Sequence, residues 1–443
     1  IPSDEAFRML ISSIRAAETA STAQATASRS MIRRSLSRFR SVICFESLSN
    51  GSWKSGGRIT AAANTGPAKH PRPASSQPAS RNSYWYWFSN IVPQSYALFR
   101  LFSLILSGEK APDMKFDIAR QPLVPAFMTL FALAVAAMCA GIPVSDTSGA
   151  VRDALPLLGG QLARFQAAYP VWSKFAAGFM LLFTGMCAGR ITIRYNLYTV
   201  GTCLPIPLYA IVACGIATGG NYLAGFAASM LLALATKNYC RAFCNGYGFD
   251  AIFRASLYLG LMPLVYAPGL PMLLLLPLAV LLFRRTLREV AVATAGLLLP
   301  VFTACYVSWG TGAEFTAPLI KLGQSAIEGM PLHLFLDIPL PALVMAGGIV
   351  LLDLTALFFF LADIYAAGTK PRFILFYNIG ILILTLAVLC SPAATPEAFA
   401  LLAVPSAILI PVFFVRIHRG IALPVYLIFL AAAFAGIFLQ YYI

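Results

Sequence analysis

Charge is scarce in this sequence. Asp, Glu, Lys and Arg make up only 11% of its 443 residues and apolar residues 59%, against about 25% charged in soluble domains, so a single soluble globular domain is excluded. Histidine is scarcer still: His70, His333 and His418 are scattered along the chain and form no metal set. P-loop, GxGxxG, GxSxG and HExxH patterns are all missing, so no motif declares a reaction. The reading is a protein without assigned activity, more a non-enzyme than an enzyme, and without cofactor or metal.

What is present is apolar sequence in long runs, each near the ~20 residues needed to cross the hydrocarbon core of a bilayer. The runs begin only after Met114. Residues 1–113 carry 14 basic and 6 acidic residues and 21 serines, whereas the following 330 contain only 9 serines; the chain has two compositional regimes. The first, 1–113, is Ser/Arg-rich and lacks sustained periodicity, as in the run Thr65-Gly66-Pro67-Ala68-Lys69-His70-Pro71-Arg72-Pro73, and reads as disordered. Three explanations compete: a targeting extension, a basic tail for anionic lipid or nucleic acid built on Arg33-Arg34 and Arg38-Phe39-Arg40, or a stretch outside the native protein. The third is preferred, because Met114-Lys115-Phe116 opens a basic lead into a clean apolar span. No nucleic-acid partner is expected.

From Met114 to Ile443, apolar segments fall at about 122–142, 171–189, 197–217, 221–236, 250–267, 269–283, 290–308, 341–362, 373–390, 397–415 and 421–440. This predicts an all-α polytopic transmembrane bundle of about nine to eleven spans. The lower number applies if 197–217/221–236 or 250–267/269–283 is a re-entrant pair, since the second member of each is short. Alternate loops hold the basic residues. Lys115 and Arg120, Arg190 and Arg194, Lys237 and Arg241, Arg284, Arg285 and Arg288, Lys370 and Arg372, and Arg416 and Arg419 lie in one set, and only Arg152, Arg164 and Lys321 in the other. Cytoplasmic loops retain Lys and Arg, so the Met114 end is expected inside and the C-terminus outside. The outside loops 143–170 and 309–340 hold apolar residues at near-helical spacing, among them Leu158, Leu162 and Phe165, and Phe315, Leu319 and Leu322, which predicts a helix along the outer interface in each.

The stretch Asn221–Val301 carries a resemblance. Its order is an apolar helix ending Leu232-Ala233-Leu234-Ala235-Thr236, a basic loop, Gly248-Phe249-Asp250-Ala251 before a helix hairpin, Leu282-Phe283-Arg284-Arg285, and then Gly296–Pro300; Leu402-Ala403-Val404-Pro405 follows near the end. From about Met114 to Ile443 the chain resembles a family of bacterial multi-span inner-membrane proteins, mainly of Bacteroidota, classed as a domain of unknown function. The resemblance implies an inner-membrane location and supplies no activity.

Three groups of residues stand out as candidates. Asp353 falls near the middle of the 341–362 span, where a carboxylate costs a few kcal/mol and usually faces the bundle interior. It is read either as a proton or cation site or as a neutral acid bonded to Asn378 or Tyr377. Asp250 and Arg254 sit one helical turn apart and pair naturally; with Lys237 and Arg241 they form a possible headgroup site on the cytoplasmic side. Asp146 and Asp153, in the first outside loop, are where a polyprenyl-phosphate-dependent glycosyltransferase places a base or metal-binding acid. Most of the nine cysteines lie in apolar runs as small hydrophobes, and Cys240 and Cys244 find no second pair to complete a zinc set. The functions in view are an envelope-assembly or transport component, such a glycosyltransferase, or a proton-coupled transporter. The partners in view are the lipid bilayer and other membrane subunits.

Overall fold

A computed structural model describes residues 117–139, 157–215, 221–243, 248–327, 332, 334–335, 338–365 and 368–442. The expected boundary near Met114 lies outside them. Among the described residues the chain is all-helical, with thirteen α-helices and no strand. They are α1 (Leu123–Cys139), α2 (Leu157–Ala168), α3 (Pro170–Arg194), α4 (Pro205–Gly215), α5 (Tyr222–Ala242), α6 (Phe249–Val265), α7 (Leu275–Leu282), α8 (Leu287–Gly310), α9 (Ala317–Ile327), α10 (Leu340–Ala362), α11 (Thr369–Leu389), α12 (Phe399–Arg416) and α13 (Arg419–Tyr442). A 3-10 turn, Ala267–Leu274, leads into α7. Six helices, α3, α8, α10, α11, α12 and α13, are long and apolar enough to cross a membrane on their own. The chain is a multi-pass membrane protein.

Helix α12 forms the centre, because it is apolar on every side and a helix of that kind must be surrounded. Fifteen of its eighteen residues are buried, and α4, α5, α10 and α11 all pack on it. All eleven residues of α4 are buried as well, between α12, α3, α13 and α1. Helix α8 is the opposite case. Its buried residues Glu289, Ala293, Gly296 and Pro300 form one stripe against α6, while Leu298, Phe302 and Tyr306 are exposed, as expected for a lipid-facing helix.

Contacts between loops sort the helix ends into two groups. At one end Arg419 pairs with Asp117 (3.1 Å) and Arg416 with Asp363. Asn196, Tyr198, Pro371 and Arg416 line one cleft there, and Leu123, Arg194 and Lys237 line another. Phe243 touches both Phe283 and Phe373. At the other end the backbone N–H of Asn221 donates to Glu397 (2.8 Å) and Thr395 donates to the Tyr266 hydroxyl. The basic loops recognised in the sequence therefore meet at one end. Both short pairs reach the far end, at Asn221 and at Tyr266, where they meet the segment before α12, so neither turns back halfway.

Two expectations need correction. In the first pair the helix expected from 197 begins only at Pro205, while its partner, expected to be the short member, extends to 21 residues at Tyr222–Ala242. The backbone turns at Asn196 (φ 46°), and Pro205, which has no N–H and a fixed φ, opens a new helix rather than continuing one. In the second pair the segment 269–283 is split into 3-10 and α-helical parts around Pro271. Helices form in both of the loops expected to hold one, as α2 and α9.

Helices α6 and α8 approach through two glycines. A Cβ on Gly260 would overlap the Leu297 carbonyl, and one on Gly296 would lie 2.8 Å from the Phe253 carbonyl oxygen. Without a hydrophobic force between helices in lipid, such close backbone contact supplies the packing energy. Gly260→Val is expected to cost about 1–3 kcal/mol by overpacking, read as a lower melting temperature in detergent. Gly310→Ala, with open space around it, should leave that temperature unchanged; equal behaviour of the two variants would refute the close contact.

Candidate functional site

Asp353 is buried, at 1% exposure, thirteen positions into α10. Among the acidic and basic residues of the six long apolar helices, only Asp353 lies more than eight positions from either helix end. Its partner is neither Asn378 nor Tyr377, as expected from sequence, but the Ser406 hydroxyl of α12, which donates to Asp353 Oδ2 at 2.5 Å. Asn378 instead donates through Nδ2 to the carbonyl of Pro405 (2.9 Å). The sequence could not show this pairing, because Ser406 lies 53 positions from Asp353 and only the centring of α12 brings them together.

The two contacts converge on adjacent residues of one helix. Pro405 removes a backbone N–H from α12 and with it an intrahelical bond to the preceding turn; Pro411 repeats this six residues later. Helices α10 and α11 each send one polar side chain to this weakened stretch. Asp353 Oδ1, Asn378 Oδ1 and the Tyr377 hydroxyl are buried without a hydrogen-bond partner. An orphaned buried acceptor costs about 1–3 kcal/mol, so this cluster has acceptor capacity to spare for a proton, a water or a cation. Tyr377 packs edge-on against Tyr239 of α5, 5.9 Å between ring centroids.

The basic-end candidates divide. Asp250 and Arg254 form the expected pair at 2.8 Å, with both side chains more than half exposed, and a pair so placed is worth at most about 1 kcal/mol. Lys237 faces elsewhere, into a pocket with Arg190 and Arg194. Arg241 is exposed on the last turn of α5. The structure thus brings Asp250 to Arg254 and Lys237 to Arg190 and Arg194. Asp146 and Asp153 lie outside the described residues, as does Cys244. Among the described residues, no group of three or more His, Cys, Asp or Glu side chains is placed to hold a metal.

Two buried acids went unrecognised in the sequence. Glu289, 2% exposed, accepts from the N–H of Gly248 (2.9 Å), from the N–H and hydroxyl of Thr286 (3.1 and 3.2 Å) and from Arg285 (3.3 Å). Arg285 also donates to the Ala242 carbonyl. One carboxylate thereby joins the start of α8 to the entry of α6, and its arginine ties in the end of α5. Its signal was legible as Thr286-x-x-Glu289, a capping box. Glu397 caps the start of α5 from 176 positions away, for which no local signal exists.

No protein-family profile, curated protein or solved structure matches the chain. The arrangement of side chains therefore carries the functional argument. Ser406→Val is expected to leave Asp353 without its hydrogen bond and to destabilise the protein by about 1–3 kcal/mol, measured by thermal unfolding in detergent. Combining it with Asp353→Leu should recover part of that loss, since two apolar groups need no partner. Additive losses in the double variant would contradict a direct Asp353–Ser406 contact.

Proposed function

We propose that the chain is a multi-pass component of a bacterial inner membrane that serves transport or envelope assembly, with the Asp353 cluster as its working element. The basic end faces the cytoplasm and the C-terminus the periplasm, in keeping with the retention of Lys and Arg on the cytoplasmic side and with the resemblance to uncharacterised inner-membrane proteins.

One observation carries the transport reading. A carboxylate sits mid-helix, bonded on one oxygen to Ser406 and unpartnered on the other, beside a proline-interrupted central helix. A group used only to hold helices together has no need of ionisable chemistry, and an Asn would serve as well. An acid at this depth, with spare acceptor capacity, suits a proton or cation step, and proline-interrupted helices are where transporters place such sites. A proton-coupled transporter is thus the sharper form of the proposal. The glycosyltransferase reading rests on Asp146 and Asp153 and draws no support from the described geometry.

Complementation of a deletion strain at matched membrane expression tests the proposal, scored by envelope phenotype. Asp353→Asn keeps the shape and the Ser406 contact but removes the titratable group, and is expected to abolish rescue. Asp146→Asn and Asp153→Asn are expected to rescue fully. Rescue by Asp353→Asn would reduce the cluster to helix packing, and failure of a loop variant alone would favour the transferase.

A further inference from the structure

We propose that Arg190, Arg194 and Lys237 bind the phosphate of an anionic phospholipid, whose acyl chain lies in the apolar pocket beneath them. The pocket, about 510 Å³, opens between α1, α3, α4 and α5. Arg190 and Arg194 stand one turn apart on α3, and Lys237 reaches the same space from α5. Like charges at this helical spacing repel each other, and a third cation adds to that cost. Among the described residues no carboxylate pairs with any of the three; the Arg194 guanidinium has instead the face of Tyr195, 6.0 Å from the ring centroid. The neighbouring cleft at the same end is different, since its Arg416 is already paired with Asp363. The charge of the first pocket is left for an external anion.

The walls distinguish a lipid from a soluble phosphate. Along α3 the lining changes from Arg194 and Arg190 at the helix end to Met186 and Phe183 deeper in, and Leu123 of α1 completes the apolar side. Phe183, Met186 and Leu123 are each more than one-third exposed, so the pocket offers apolar surface directly below its cations. That order, charge at the rim and hydrocarbon contact below it, is the order of a phospholipid at the membrane surface, where each Lys or Arg attracts anionic headgroups. A free phosphate would use the cations and leave the apolar wall uncovered. The inference goes beyond the Asp353 reading and shares no residue with it, so either can fail alone.

The test uses the purified full chain in a neutral detergent, titrated with dioctanoyl phosphatidylglycerol, dioctanoyl phosphatidylcholine and inorganic phosphate, with binding read by native mass spectrometry. Phosphatidylglycerol is expected to bind in preference to the other two. Loss of affinity should be roughly fivefold for Arg194→Gln or Lys237→Gln and roughly a hundredfold for the triple variant with Arg190→Gln. Arg190→Lys with Arg194→Lys should retain most of it. The control Lys370→Gln with Arg372→Gln, outside the pocket at the same end, should change nothing. Unchanged affinity in the single variants would overturn the site, whether or not the triple variant folds. Inorganic phosphate binding as tightly as phosphatidylglycerol would overturn the lipid assignment.

Discussion

Confinement of charge to the helix ends is the constraint on which the rest of this structure depends. Polar groups in hydrocarbon must find partners within the protein, so an apolar chain of this length can keep ionised groups only where its helices emerge. The described helices obey this closely. Arg190 and Arg194 end α3, Glu289 lies in the first turn of α8 with Arg285 just before it, Arg416 ends α12 and Arg419 begins α13. Once the charges are at the ends, loop contacts such as Arg419 with Asp117 and Phe243 with Phe283 and Phe373 gather them at one end of the bundle. The alternation of the sequence then becomes an alternation of direction.

Against that rule Asp353 is the exception, and the architecture around it is consistent with its being kept. Helix α12 is enclosed on all sides, and each of its two prolines removes an intrahelical bond; Asn378 donates to the Pro405 carbonyl. Ser406, the next residue, is one of the few polar side chains on that helix and points to Asp353. The same interior that makes an unpaired acid costly supplies one donor and withholds a second. Structural acids elsewhere look different: Glu289 has four bonds to three residues and lies at a helix entry. Comparison of these two carboxylates, one saturated and one half-satisfied, separates a fastening from a site that can still accept something.

Much of the fold was legible because its signals are local. Apolar runs and basic loops placed the helices within a few residues, including α2 and α9, and the i, i+4 spacing gave the Asp250–Arg254 pair. The failures were of two kinds. Where proline chemistry overrode apolar composition, as at Pro205, the helix began well inside its apolar run. Where the partner lay far along the chain, as for Ser406 with Asp353 or Glu397 with Asn221, nothing in the intervening residues pointed to it. The pocket of Arg190, Arg194 and Lys237 belongs to the second kind: the sequence grouped Lys237 with its near neighbour Arg241, and the packing of α3 on α5 regrouped it.

One end of the bundle carries the basic loops, and the segments that join them turn at the other end, near Asn221, Tyr266 and Thr395. Cysteine accessibility tests this most directly, in a chain whose native cysteines are replaced, with single cysteines at Thr199, Gly368 and His418 on the basic end and at Gly312 and Thr395 on the other. A membrane-impermeant maleimide applied to intact cells should label only Gly312→Cys and Thr395→Cys, and the remaining three only after the cytoplasmic side is opened. Labelling of both groups from the same side would contradict the account.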